Sequence, residues 1–138
     1  GGPEKNKYRR LIKELELTNV QILDFLPREK VFQYFRAADV YLFPSKEDIY
    51  GHVVNEAMSQ GLPVISNQNV NSAHHLIKNG ENGYVIDFND DGKINMAIKD
   101  VLNNPEMANA ALKTAGQNTI ELMAKVHLDA FKDWMERR

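Results

Sequence analysis

Residues 40–66 read VYLFPSKEDIYGHVVNEAMSQGLPVIS, and this stretch decides the fold. It begins with an apolar run of strand length at 40–43 and ends with a second such run at 63–66. Between the two runs the sequence predicts a helix over 51–60, which stops at Gly61. Two strands joined through a helix are typical of a parallel pair, because parallel neighbours need a crossover connection.

The same alternation continues on both sides of this stretch. Upstream, apolar residues recur at helical spacing over 4–17, a short apolar run follows at 20–25, and a second helix opens at Pro27. Downstream, a short helix near 72–78 leads through a turn cluster to a strand at 84–86, and the rest of the chain is helical. Alternating strands and helices predict an α/β fold, a Rossmann-like parallel sheet with helices on both faces.

The start of the chain is unusual for such a sheet. The first predicted element is a helix introduced by Gly1, Gly2 and Pro3, and only four strands are found. A glycine turn in an open parallel sheet normally follows a strand. We therefore expect that this sheet lacks its first strands, and that residues 1–138 form a single domain that is a fragment of a two-domain protein.

Composition excludes several classes of function. The chain has 138 residues, a formal net charge of -2 and no cysteine. This charge gives no overall positive field for a phosphate backbone, so we expect no nucleic-acid partner. The lack of cysteine excludes disulfides and thiolate metal sites and is typical of a reducing cytoplasm. No run approaches the roughly 20 apolar residues that cross a bilayer.

The loop that follows the strand at 40–43 is the candidate site, because ligands of open parallel sheets bind outside the carboxyl ends of the strands. Gly51 allows a close approach of backbone, and the free N–H groups of the helix that starts there favour an anion such as a diphosphate. Asp48 precedes this helix and Glu56 lies within it, with seven residues between them. We expect both carboxylates to face one crevice, where ribose hydroxyls would supply the hydrogen bonds that a carboxylate in apolar surroundings needs.

These residues belong to a set of motifs that resembles a known family. The run 44–58 and its continuation over 61–65 are similar to the signature of family 4 of the retaining glycosyltransferases, whose GT-B fold has two facing Rossmann-like domains. Four further motifs match: Gly2-Pro3-Glu4, Phe25-Leu26-Pro27-Arg28-Glu29, Ala37-Ala38-Asp39-Val40 and Asn79-Gly80-Glu81-Asn82-Gly83. The resemblance extends to about Pro105 and implies the C-terminal, nucleotide-sugar-binding domain.

The resemblance also implies roles for individual residues. Glu56 matches the acid that binds the ribose, and Asp48 matches the acid beside the donor sugar, to which catalytic and sugar-binding roles are assigned. The backbone at Gly51, His52 and Val53 matches the helix start that meets the diphosphate, and Tyr50 next to it is expected to bind substrate as well. The family transfers a sugar with retention of configuration, generally without a metal, so we expect no metal and no cofactor besides the nucleotide-sugar donor.

Two features of the family lie outside this sequence. They are an N-terminal domain with the acceptor site and a basic pair, upstream of the glycine-proline turn, that neutralises the diphosphate. We therefore expect this chain to be incomplete and inactive by itself. The parent protein would transfer a sugar to an acceptor, as in making surface polysaccharide or glycolipid.

The sequence departs from the family pattern at several positions. Asp48 stands where glutamate is usual, Ile49 where glycine is usual, His52 where leucine is usual, and Asn71 and Ser72 where paired glycines are usual. These departures motivate an alternative, a non-catalytic nucleotide-binding or interaction module with the same fold. A weaker alternative is a nucleotide-sugar epimerase with a similar build.

Other noticeable residues have structural interpretations. The histidines lack the spacing of a metal site, and the aromatic residues around Tyr41 recur at core spacing. The terminal helix presents an apolar face formed by Leu122, Val126, Ala130, Phe131 and Trp134. We expect this face to cover the sheet or to dock on the missing domain. Attachment to a membrane surface is the weaker alternative, because basic residues do not dominate the polar face.

Overall fold

A computed structural model describes residues 3–137 of the chain. The described residues divide into two compact units, 3–31 and 32–137. The glycine-proline turn predicted at the start of the chain depends on Gly2, which lies outside the described residues. The prediction that residues 1–138 form one domain stays a prediction.

The first unit contains helix α1, Lys5–Glu14, and the beginning of helix α2, Arg28–Ala37. α1 ends earlier than predicted because Glu16 has a left-handed backbone conformation, with φ 51°, which an α-helix cannot continue. No residue of α1 is buried. Within this unit Lys5 forms a hydrogen-bonded ion pair with Asp24, which holds the pKa of that carboxyl below its ordinary value.

The strand predicted at 20–25 does not form, and that prediction is wrong. These residues make no ladder with any strand in the part of the chain that the structure describes. A strand exists through hydrogen bonds to a neighbouring strand, so an apolar run without a partner stays irregular. Val20, Leu23 and Phe25 are accordingly exposed, Phe25 to 89%.

The second unit is built on a parallel sheet of three strands in the order β1-β2-β3. β1 is Tyr41–Phe43, β2 is Val64–Asn67 and β3 is Gly83–Ile86. Residues 64–66 of the central strand are all fully buried, and since successive side chains point to opposite faces, β2 is covered on both sides. β1 lies at the edge of the sheet, and its residue Leu42 is 39% exposed, so this strand is covered less completely than β2.

Helices connect the strands as predicted. α3, His52–Met58, joins β1 to β2, and α4, Asn71–Leu76, joins β2 to β3. Three more helices follow β3: α5 is Asp91–Asn103, α6 is Glu106–Gly116 and α7 is Ile120–Glu136. The α/β fold with a parallel sheet is therefore confirmed, with three of the four predicted strands among the described residues.

The core of this unit lies between the sheet and its helices. Val54, Ala57 and Met58 of α3 are fully buried. A further buried cluster consists of Ile65, Ile86, Ala97, Val101 and Met107. On α2, Phe35 is buried, whereas the neighbouring Tyr34 is 50% exposed.

The last helix contributes nothing to this core. No residue of α7 is buried, and the apolar side chains that define its predicted face, Phe131 among them, are exposed. Of the two roles predicted for this helix, cover of the sheet is therefore wrong. Docking on another domain stays a prediction.

Candidate functional site

The candidate site lies at the carboxyl end of the sheet, in the loops that follow β1 and β2. Asp48, in the loop between β1 and α3, forms a parallel bridge with Val70, in the loop between β2 and α4. The backbone N–H of Asn71 donates to the carbonyl of Asp48 over 3.3 Å, and its side-chain amide donates to the carbonyl of Ile49 over 3.1 Å. The neighbouring loop therefore holds in place the loop that carries the predicted residues.

Gly51 is buried between this loop and α3, and the space around it is too small for a side chain. A Cβ atom at this position would lie 3.1 Å from Asp48 Oδ2 and 3.1 Å from Ser72 Oγ. Both contacts are tighter than ordinary van der Waals packing. The Asp48 carboxylate is therefore turned toward the start of α3, and both it and the Ser72 hydroxyl lie next to the Cβ position of Gly51.

The start of α3 offers backbone hydrogen-bond donors. Gly51 is the N-cap, its carbonyl accepts from Val54 N over 3.1 Å, and as a glycine it has no side chain with which to cap the helix. The first N–H groups of a helix have no partner inside it, and the helix dipole gives that end a partial positive charge. His52 at this end is exposed and Val53 is half-buried. Chemically, this end of α3 suits an anionic group.

The negative charges of Asp48 and Glu56 both affect the pKa of the Tyr41 hydroxyl. The pKa of Tyr41 on β1 is raised by burial and, in addition, by the negative charges of Asp48 and Glu56. Both carboxylates therefore interact electrostatically with this one phenol. Glu56 itself is half-buried on α3, next to the buried Ala57. The structure therefore brings the two predicted acids into one region.

Tyr41 is a residue of this region that sequence reasoning missed. It was assigned to packing, and its ring does pack, with centroids 5.1 Å from the ring of Phe35 and 5.8 Å from that of Phe43. The sequence did contain a signal, because Tyr41 carries the one hydroxyl in the apolar run 40–43. A partly buried tyrosine hydroxyl usually has a hydrogen-bond partner, so a tyrosine at this position offers a polar group as well as a ring for packing.

Tyr50 and His52 lie in a separate part of the site. Both line a cavity of about 270 Å³, and their rings meet edge to face with centroids 5.2 Å apart. Apolar side chains of α7 form part of its wall: Ile120, Leu122, Met123 and Val126. Asp48 and Glu56 do not line this cavity. The predicted residues therefore form two groups, one around Gly51 and Tyr41 and one at the cavity.

Two of the other three histidines have structural partners. A ring nitrogen of His74 contacts the carbonyl of Gln68 at 2.5 Å, and one of His127 contacts the carbonyl of Met123 at 2.8 Å. Within residues 3–137, no three histidine, aspartate or glutamate side chains come together in a way that could hold a metal ion. In the same part of the chain, none of the helices has both the length and the apolar composition of a membrane span.

The fold and its loops define a class of protein, the glycosyltransferases with a GT-B fold. The family described as glycosyl transferases group 1 matches residues 1–118. The chain therefore belongs to the glycosyl transferases group 1 family, and its α/β fold matches the C-terminal domains of GT-B enzymes. The expected glycosyltransferase domain and its α/β fold are thus confirmed, while family 4 and retention of configuration stay predictions.

Individual relatives cover most of this chain. It is 26% identical to a D-inositol 3-phosphate glycosyltransferase of Acidothermus cellulolyticus over 96% of this chain and 33% of the relative. Sucrose-phosphate synthase of Thermosynechococcus elongatus matches with a TM-score of 0.77 at 24% identity, over 96% of this chain and 35% of that one. Alr3699/HepE of Anabaena, in complex with UDP-glucose, matches with a TM-score of 0.70 at 26% identity, over 84% of this chain and 33% of that one. The chain spans about a third of the length of the relatives it matches.

Proposed function

We propose that this chain is the donor-binding part of a retaining glycosyltransferase of family 4, which takes a sugar from a nucleotide-diphosphate sugar. Membership of the glycosyl transferases group 1 family and the likeness to a protein solved with UDP-glucose support this proposal. The observation that carries it is the common neighbourhood of Asp48 and Glu56 beside Tyr41, where the sheet ends and α3 begins. The lack of cysteine supports a cytoplasmic location.

Each predicted residue has a task in this proposal. Glu56 accepts hydrogen bonds from the ribose hydroxyls, and Asp48 faces the donor sugar. The backbone N–H groups at Gly51, His52 and Val53 hold the diphosphate, with Tyr50 beside them. No metal takes part, because the helix end supplies positive potential for the departing diphosphate.

The proposed reaction is a group transfer between two oxygen atoms. The bond between the anomeric carbon and the diphosphate oxygen breaks, and a bond to the acceptor oxygen forms on the same face of the sugar. The nucleotide diphosphate leaves with the bonding electron pair, and its departing oxygen takes up the proton that the acceptor hydroxyl loses. An acceptor-binding domain and further basic side chains, supplied by the rest of the protein, complete this site.

A titration followed by ¹H–¹⁵N NMR tests the donor-binding assignment on this chain directly. We expect UDP and UDP-glucose to shift the backbone signals of residues 48–56 and of Tyr41, while signals of α6 stay in place. NMR suits this test because it detects weak binding and reports folding in the same spectrum. A folded chain whose spectrum is unchanged by both ligands would show that the assignment is wrong.

A second candidate is a nucleotide-binding or interaction module without transferase activity. The hydrogen bond from the Asn71 side chain to the Ile49 backbone carbonyl favours it, because Asn71 stands where the family pattern has glycine, which has no side chain to donate. In this case the full-length protein would bind UDP-glucose and release neither UDP nor a glycosylated product. Isomerised donor instead of transferred sugar would indicate an epimerase.

A further inference from the structure

Ser72 has a buried hydroxyl group without a hydrogen-bond partner. The residue is 0% exposed, and among the described residues its Oγ is one of two buried side-chain atoms that lack a partner. Burying a hydroxyl without a hydrogen bond costs free energy, so native proteins rarely leave one unpaired without a reason. An alanine would fill nearly the same space without burying a polar group.

The unpaired hydroxyl lies close to the Asp48 carboxylate. Ser72 Oγ and Asp48 Oδ2 are each 3.1 Å from the point where a Cβ atom of Gly51 would be, so they are at most twice that distance apart. Gly51 has no side chain to separate them. The terminal torsion of an aspartate side chain has a broad energy well, so the direction of the carboxylate can adjust toward this hydroxyl.

We propose that Ser72 is a positioning residue, whose hydroxyl donates a hydrogen bond to Asp48 Oδ2 and fixes the direction of that carboxylate. The backbone of Asp48 is already held by Val70 and Asn71, so side-chain rotation is the freedom that remains. A hydrogen bond to a charged acceptor is among the stronger ones in proteins. The consequence for catalysis rests on the proposed function, in which this carboxylate faces the donor sugar.

The chain offers a matched control in Ser66. It is also 0% exposed, but its hydroxyl donates to the carbonyl of Phe43 over 3.3 Å and thus has a partner of its own. Ser72→Ala and Ser66→Ala therefore each remove one buried hydroxyl from the same unit. Only the first of these hydroxyls lies beside Asp48.

The first measurement needs no ligand. Three-bond couplings between the α and β protons of Asp48 report whether its side chain occupies one rotamer. We expect two unequal couplings in the wild-type chain and in Ser66→Ala, and converging couplings in Ser72→Ala. Couplings that are averaged in the wild type, or that Ser72→Ala leaves unchanged, would overturn the proposal. If Ser72→Ala does not fold, Ser72→Cys keeps the volume, weakens the donor and should give the same convergence.

The second measurement uses UDP-glucose and UDP as probes of the same variants. We expect Ser72→Ala to weaken UDP-glucose binding by about fivefold, the share of one hydrogen bond, and UDP binding by less than about twofold. Equal losses for both ligands, or no loss, would overturn the positioning role. If the wild-type chain binds neither ligand, the proposed function fails, while the couplings still decide whether Ser72 orients Asp48.

Discussion

The side-chain amide of Asn71 donates a hydrogen bond of 3.1 Å to the backbone carbonyl of Ile49, so the first residue of α4 holds the loop that leads into α3. Ile49 is 85% exposed, and its side chain therefore contributes little packing to the shape of that loop. Polar contacts from the neighbouring loop thus set the backbone at Asp48. This arrangement makes the loop sensitive to changes that leave the core untouched.

Asn71→Ala should loosen the loop without unfolding the domain. The backbone hydrogen bond from residue 71 to Asp48 remains, so we expect a loss of at most about 1 kcal/mol in the free energy of unfolding. Hydrogen exchange at residues 46–51 should become faster. Asn89→Ala is the control, because its side-chain amide bonds Asp87 in a different loop. Unchanged exchange at residues 46–51 in Asn71→Ala would contradict this account.

Gly83→Ala should prevent β3 from pairing with β2. Gly83 has a φ of 155°, and a Cβ atom there would overlap the backbone carbonyl of Val64 in the central strand. Because backbone cannot move aside as a flexible side chain can, we expect a loss of about 3 kcal/mol or more in the free energy of unfolding. Gly116→Ala is the matched control, since nothing lies within 4 Å of its Cβ position, and it should be neutral or stabilising by up to about 1 kcal/mol. Urea unfolding measures both, and similar losses would contradict the prediction.

Asn82→Ala should weaken the attachment of α4 to α6. Asn82 is 1% exposed, and its amide donates to the Leu76 carbonyl over 3.0 Å and to Thr114 Oγ1 over 2.8 Å. Its side-chain oxygen, Oδ1, accepts from the backbone N–H of Lys78 over 2.8 Å. Removing these groups leaves buried partners unsatisfied, so we expect a loss of about 2–3 kcal/mol in urea unfolding. Asn109→Ala, at an exposed position, should cost under about 0.5 kcal/mol. Equal losses of unfolding free energy in Asn82→Ala and Asn109→Ala would show that the buried hydrogen bonds of Asn82 do not stabilise the fold.

The cap of α5 should make stability depend on pH in the acid range. Asp90 accepts a backbone hydrogen bond of 3.1 Å from Lys93 N, and this bond is the main reason that its pKa lies below the ordinary value of 3.8. A lowered folded-state pKa means that the stabilisation is present above the unfolded value and is lost as the pH falls through the folded value. Asparagine also caps helices, so Asp90→Asn should keep the helix and reduce the acid-side slope of the unfolding free energy.

Asp91→Asn is the control for this slope. It removes the same charge from the first turn of α5 without touching the capping group. Urea midpoints at neutral pH and below pH 3.8 should differ less in Asp90→Asn than in the wild type or in Asp91→Asn. Identical slopes in all three proteins would refute the capping explanation.

The sequence predicts best those helices and strands whose apolar pattern and whose packing partners all lie within one short stretch of the chain. β1, α3 and β2 follow from residues 40–66, because the helix crossover and both strands are contained there. The strand expected at 20–25 failed because its apolar composition says nothing about a hydrogen-bonding neighbour. The end of α1 was missed because a left-handed Glu16 leaves no sign in composition.

In the candidate site too, the sequence predicts the residues themselves but not the contacts that folding creates between distant segments. Spacing placed Asp48 and Glu56 at the mouth and body of one helix, but their common influence on Tyr41 depends on how β1 lies against α3. The orphaned hydroxyl of Ser72 could not be predicted at all, because it becomes visible only when α4 meets the loop at Gly51. Sequence thus identified the acids, and the packing of loops added their neighbours.

Whether Asp48 and Glu56 bind the two ends of one nucleotide-sugar donor is tested most directly by titrating Asp48→Asn and Glu56→Gln with UDP and UDP-glucose. If the two acids bind opposite ends of one donor, Glu56→Gln should lower the affinity for both ligands by about tenfold. Asp48→Asn should lower the affinity for UDP-glucose by a similar factor and change the affinity for UDP by less than about twofold. Glu81→Gln, an exposed acid in the turn before β3, should change neither. Equal losses of both ligands in Asp48→Asn, or unaltered UDP binding in Glu56→Gln, would contradict the account.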